Sequence, residues 1–176
     1  MNTRTLSISI ALIVLLILAT GFLLYSRSSQ EAVNNAPIIS KEEAERSAVE
    51  TVVKAFGSKM QLVPLSGTSG IASSSISAHY SALVSAALLN TWLAAPQSAP
   101  GRVVSSPWPD RIDITSTRKD IDGSYVVEGK VIEITSVELQ NGGVANSYPV
   151  RLRLRNVSDT WLISDFEKTA STTLSS

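Results

Sequence analysis

The chain contains no cysteine, a single histidine and few charges, with only 17% Asp, Glu, Lys and Arg among its 176 residues. The missing cysteine excludes disulfide staples, thiolate metal sites, cysteine nucleophiles and a lipid anchor built on an N-terminal cysteine. His79 would need a partner and a pocket to act as a general base, and Ala78 and Tyr80 beside it supply no carboxylate. Basic excess is missing too, since Lys plus Arg and Asp plus Glu both number 15. Setting Arg4 and Arg27 aside leaves 13 basic against 15 acidic residues, which gives no electrostatic reason to bind nucleic acid. Glycine-rich phosphate loops, a nucleophile elbow and carboxylates at metal spacing are absent as well. No catalytic residue, metal site or cofactor is therefore expected.

What is present begins with a long apolar run. Leu6 to Tyr25 (LSISIALIVLLILATGFLLY) carries no charge and no proline. About 20 residues rising 1.5 Å each match a hydrocarbon core of about 30 Å. Arg4 and Arg27 bracket the run, and Tyr25 stands where an interfacial aromatic belongs. The competing reading is a cleaved signal peptide, for which Ala19-Thr20-Gly21 offers a small-x-small site. The apolar run continues past that site through Phe22-Leu23-Leu24-Tyr25, too long for a signal peptide, which favours a retained anchor. The expected plan is a tail at 1–5, a single transmembrane anchor at 6–25 and a polar linker at 26–39. An α+β domain at 40–169 and a short disordered tail at 170–176 complete it. The short N-terminal tail favours a cell-membrane protein with its C-terminal domain outside the cytoplasm.

Ser40-Lys41-Glu42-Glu43 has the form of a capping box and opens a helix, which Gly57 is expected to end as a left-handed cap. Residues 60–101 carry no formal charge apart from a possible proton on His79. The Gly/Ser stretch SGTSGIASSS (66–75) reads as a loop. Ile76, Tyr80, Leu83, Val84, Ala87, Leu88 and Trp92 recur at helical spacing, which predicts one second helix stopping before Pro96. Its charge-poor outer face suits either contact with a partner or bilayer, or simple coverage by serine.

Beyond the proline-rich connector 96–109 the period changes to two. Strands are expected from Ile112, over Ser124–Leu139, over Ser147–Val157 and over Thr160–Lys168, with turns at Asp120–Gly123, Asn141–Gly143 and Ser158–Asp159. Gly129 is read as a bulge, because Val127 and Val131 give way there to Ile132 and Ile134. Arg151, Arg153 and Arg155 alternate with apolar residues and share one face of the third strand. They form either a solvated face paired with Glu128, Glu133 or Glu138, or a docking surface for an acidic partner or anionic head groups. Trp108, Asp110 and Arg111 follow the prolines at a strand mouth. They form either a ligand or partner site, or a plug (Trp108) beside a turn cap (Asp110). Adjacent Asp110 and Arg111 are expected on opposite faces, and so not as a pair.

Two helices followed by a four-stranded antiparallel meander ending in Trp161-Leu162-Ile163-Ser164-Asp165-Phe166 resemble the cone-shaped fold of the nuclear transport factor 2-like (cystatin-like) superfamily. The stretch from Ala99-Pro100-Gly101-Arg102 to Pro107-Trp108-Pro109-Asp110-Arg111 looks like a signature of small membrane-anchored proteins of Gram-positive bacteria. The resemblance implies one of several roles, among them isomerase or dehydratase, ligand binder, or membrane-tethered assembly module as in secretion scaffolds. The residues favour the last, with a protein partner or a homo-oligomer. A ligand-binding or isomerase-like cone is the alternative; a core filled by Phe56, Trp92, Trp161 and Phe166 would count against it.

Overall fold

The computed structural model describes residues 40–170. The proposed anchor 6–25, the linker 26–39 and the residues after Ala170 lie outside them. Among the described residues no helix is long and apolar enough to cross a membrane. The chain divides at Ser40 into two units, and the second carries every described helix and strand.

That unit is α+β. Helix α1 spans Lys41–Lys59 and runs into a 3-10 turn at Met60–Leu62. Helices α2 (Ser69–Tyr80) and α3 (Ala86–Ala94) follow, then a 3-10 turn at Pro96–Ser98. Strands β1 (Trp108–Lys119) and β2 (Tyr125–Ile134), the short helix α4 (Ser136–Asn141), and strands β3 (Asn146–Val157) and β4 (Thr160–Lys168) complete it. All three strand pairs are antiparallel, in the order β1-β2-β3-β4.

In α1, Val49, Val53 and Phe56 fall on one face and are fully buried, while Glu42 and Glu43 complement the positive end of the helix dipole. Gly57 does not end this helix. A Cβ there would lie 2.7 Å from the Ile112 backbone nitrogen, so the missing side chain lets α1 press onto β1. The expected single second helix is two. The Gly/Ser stretch is helical from Ser69, with Ala72, Ile76 and Tyr80 buried at every fourth position. The helical path then breaks, because Leu83–Ser85 leaves it to pair with Ile163 of β4. The Ile163 amide donates to the Leu83 carbonyl (2.9 Å), and the Ser85 amide donates to the Ile163 carbonyl (2.8 Å). Ser85 then caps α3, its hydroxyl accepting from the Leu88 amide.

The expected long strand 124–139 is shorter. It stops at Ile134, where Thr135 and Glu138 form a capping box and start α4. Gly142 and Gly143 leave α4 with positive φ, and Ser158 and Asp159 adopt positive φ in the tight turn between β3 and β4. The bulge anticipated at Gly129 sits across from it. Thr115 of β1 is the extra residue between the pairs Ile114↔Gly129 and Ser116↔Glu128, while β2 pairs with β3 without interruption. Gly129 is glycine because a Cβ would lie 2.7 Å from the Asp113 carbonyl oxygen. Ile132 and Ile134 are buried outside the main core cluster, on the face opposite Val127 and Val131.

The core is aromatic at its centre. Phe56 lies 4.7 Å from Tyr80, 6.0 Å from Trp92 and 5.9 Å from Phe166, centroid to centroid. Trp92 also meets Tyr80 edge-on at 5.6 Å, and Tyr125 meets Trp161 edge-on at 5.2 Å. The buried Tyr80 hydroxyl donates to the Pro100 carbonyl at 2.7 Å, tying α2 to the connector before β1. Burial pushes that hydroxyl far above its ordinary pKa.

Candidate functional site

Three surfaces follow from this framework: the outer face of the sheet, the mouth of β1, and the interior.

On the outer face the three arginines stand in a row along β3, alternating with buried Leu152 and Leu154. Each has an acidic partner. The Arg151 Nη2 lies 3.3 Å from Glu128 Oε1, and its Nη1 3.9 Å from Glu167 Oε2. Arg153 donates to Asp120 (3.2 Å) and to the Ser124 hydroxyl (2.9 Å), with Asp122 at 3.9 Å. Arg155 lies 3.6 Å from Asp122. Of the expected partners Glu128 alone serves; Glu133 accepts from Asn146, and Glu138 caps α4. Hydrogen bonds from Ser124, then the charges of Arg153 and Arg155, hold the Asp122 carboxyl below its usual pKa. Half-exposed pairs such as Arg151–Glu128 contribute well under about 1 kcal/mol each. Their second role is cover. Val126 points to this outer face yet is only 1% exposed, and Arg118 and Arg153 are its two cross-strand neighbours. The long arginine stems roof it while their heads stay in water. Each arginine of the row is thus paired with a neighbouring carboxylate of its own chain.

At the mouth of β1 the structure corrects the expectation that Asp110 and Arg111 cannot pair. Arg111 donates to Asp110 Oδ2 (2.8 Å) and, through Nε, to Asp113 Oδ1 (2.9 Å). A register shift between Pro109 and Arg111 makes Asp110 an extra residue, which breaks the alternation that would have separated the two side chains. The two carboxylates, Asp113 first, raise the Arg111 pKa. Trp108 does not plug the core. It is half-buried opposite Ile134 and stands outside the main cluster. The structure therefore joins Asp110 to Arg111 and leaves them separate from the arginine row.

In the interior Phe56, Tyr80 and Trp92 are buried with Phe166 and Trp161 packed on the core part-buried, and His79 is half-buried. Open space lies on the surface. One groove of about 460 Å³ crosses the outer sheet face between Glu128, Lys130, Pro149 and Arg151. Another of about 460 Å³ runs between α1 (Arg46, Glu50, Lys54) and the edge of β1 (Ile112 to Thr117). Among the described residues no group of three His, Cys, Asp or Glu side chains is placed to hold a metal.

One surface escaped the sequence reading. Val137 and Leu139 on α4 and Val144 after it are 60%, 66% and 49% exposed. The signal was in the composition, because Glu138 is the only charge from Ile134 to Val150.

No family model matches the chain, and no curated protein is similar to it. Among solved structures, the intermembrane space region of chloroplast protein ARC6 aligns over 77% of this chain and 100% of its own, at 16% identity and a TM-score of 0.40. That likeness is too distant to inform either fold family or function.

Proposed function

We propose that this chain is a single-pass, membrane-anchored interaction module whose α+β domain works outside the cytoplasm by docking another protein surface, as a subunit of an envelope or secretion assembly. In this reading the domain is a nuclear transport factor 2-like cone that has been filled instead of hollowed. The observation that supports it is the interior, where Phe56, Tyr80 and Trp92 are buried against one another and Phe166 packs on them part-buried. Outside lie the grooves on the outer sheet face and beside β1, and the aliphatic tip of α4. The uncharged run Leu6–Tyr25, bracketed by Arg4 and Arg27, supports the tether.

Protease added to intact cells tests the placement. Digestion of the C-terminal domain, leaving an N-terminal fragment that carbonate does not extract from the membrane, is the expected result. Protection of the domain, or its release by carbonate, contradicts the proposal.

A further inference from the structure

The two edges of the sheet are treated differently. The β4 edge is covered where Leu83–Ser85 pairs with Ile163. The β1 edge is twelve residues long and has no strand beside it among the described residues. An open row of backbone donors and acceptors is a template for another strand. We propose that this edge docks a second copy of the same chain, β1 against β1, about a two-fold axis at the Thr115–Ser116 step. This deepens the interaction reading by naming its partner.

The bulge in β1 decides which of its residues share a face. Arg111 and Asp113 share the outer face, and Ile112 and Ile114 the inner. Thr115 shifts the phase, so that Ser116 and Arg118 lie on the outer face and Thr117 and Lys119 on the inner. The inner placement agrees with Thr117 and Lys119 bonding Glu50 and Glu45 of α1. Antiparallel neighbours must share a face. Across the bulge, that condition admits only registers in which the numbers of paired residues have an odd sum.

Charge then selects one register. Centring the axis one residue earlier sets Arg111 against the second copy's Arg118, and one residue later sets Asp113 against its Asp120. Centring it between Thr115 and Ser116 sets Asp113 against Arg118 and Arg111 against Asp120, each twice by symmetry. Ile114 then meets Thr117, and no like charges oppose. The helix beside the edge follows the same symmetry. Thr117 is bonded to Glu50, and Ile112 touches Gly57, so the axis passes α1 between Glu50 and Lys54. Glu50 of one copy therefore faces Lys54 of the other, and Lys54 makes no ion pair within its own chain among the described residues.

The test uses the full chain in its own membranes. Because the sequence lacks cysteine, Ser116→Cys supplies the only thiol, and a short bismaleimide should join it to its copy; Ser136→Cys on α4 should not crosslink. Asp113→Arg or Arg118→Asp in the Ser116→Cys background should each lower the dimer yield at least about tenfold, since each sets like charges opposite one another. Co-expressing those two variants with different tags should restore a mixed dimer, because every opposed pair is again of unlike sign. Recovery in the mixture shows that both variants fold. A Ser116→Cys chain that stays monomeric, a yield insensitive to Asp113→Arg, or a mixture that does not recover would each overturn the proposal, leaving the bulges and charges as protection of a bare edge. If an amine-reactive reagent still traps a different protein, the interaction reading survives without self-docking. If it traps nothing, both are lost.

Discussion

Gly129 and Gly57 hold β1 from two sides, one through the neighbouring strand and one through α1, and each leaves no room for a methyl group. A Cβ at Gly129 would meet the Asp113 carbonyl and one at Gly57 the Ile112 backbone nitrogen, both at 2.7 Å. Gly129→Ala should lower stability by about 1–3 kcal/mol, the usual cost of overpacking. Thermal unfolding followed by tryptophan fluorescence checks this; an unchanged midpoint would mean β1 can yield. Both glycines stood out in the sequence, but the local pattern suggested a helix cap and a bulge. Their real cause is a backbone remote in sequence, which no local pattern carries. The carboxylates make a second prediction at this scale. Hydrogen bonds from Lys119, Ser124 and Thr135 hold Glu45, Asp122 and Glu138 below their ordinary pKa values. Their contribution is therefore complete above the unfolded-state values, about 4, and is lost as pH falls through the lower folded values. The unfolding midpoint should drop on acidification through that range, and the triple variant Glu45→Gln, Asp122→Asn, Glu138→Gln should flatten the drop.

Among the elements, α1 and strands β3 and β4 were legible because local signals and tertiary packing agree there. Apolar spacing marks the buried face of α1, and Ser158-Asp159 marks the turn between the strands. The break between α2 and α3 was not legible. No glycine or proline interrupts residues 76–92, and what bends the chain is a pair of hydrogen bonds to Ile163. Ser85→Pro removes one of those donors and the capping hydroxyl together. It should destabilise the domain more than Ser85→Ala, which costs about 1 kcal/mol as a lost cap, and should speed amide exchange at Ile163. Equal effects of the two would show that the pairing with β4 contributes little. Helix α4 is the opposite case: its capping box Thr135-Ser136-Val137-Glu138 was in plain view, and the β-branched run before it masked it. The arginine row was placed on the correct face by period alone. The sequence offered Glu128 as a partner, and only the structure adds Asp120 and Asp122, because these two acids lie in a turn whose reach the sequence does not state.

At the scale of the whole domain, the described residues place Phe56, Tyr80 and Trp92 in a buried aromatic cluster and leave Val137, Leu139 and Val144 exposed at the tip of α4. Leu62, Ile71, Val103, Val104, Ile121 and Val157 are exposed elsewhere. Phe56 touches Tyr80, Trp92 and Phe166 at once, so Phe56→Ala should cost about 3–5 kcal/mol and unfold much of the population. Leu139→Ala at the tip should leave stability within about 0.5 kcal/mol of the parent, and any effect it has should appear in association. That separation is what an interaction module requires and a ligand-binding cone does not. Amine-reactive crosslinking of the full chain in intact membranes tests it most directly. The account predicts a discrete adduct, with this chain or another protein, that survives denaturing electrophoresis. A chain that remains monomeric and without adducts over the whole range of crosslinker would contradict it.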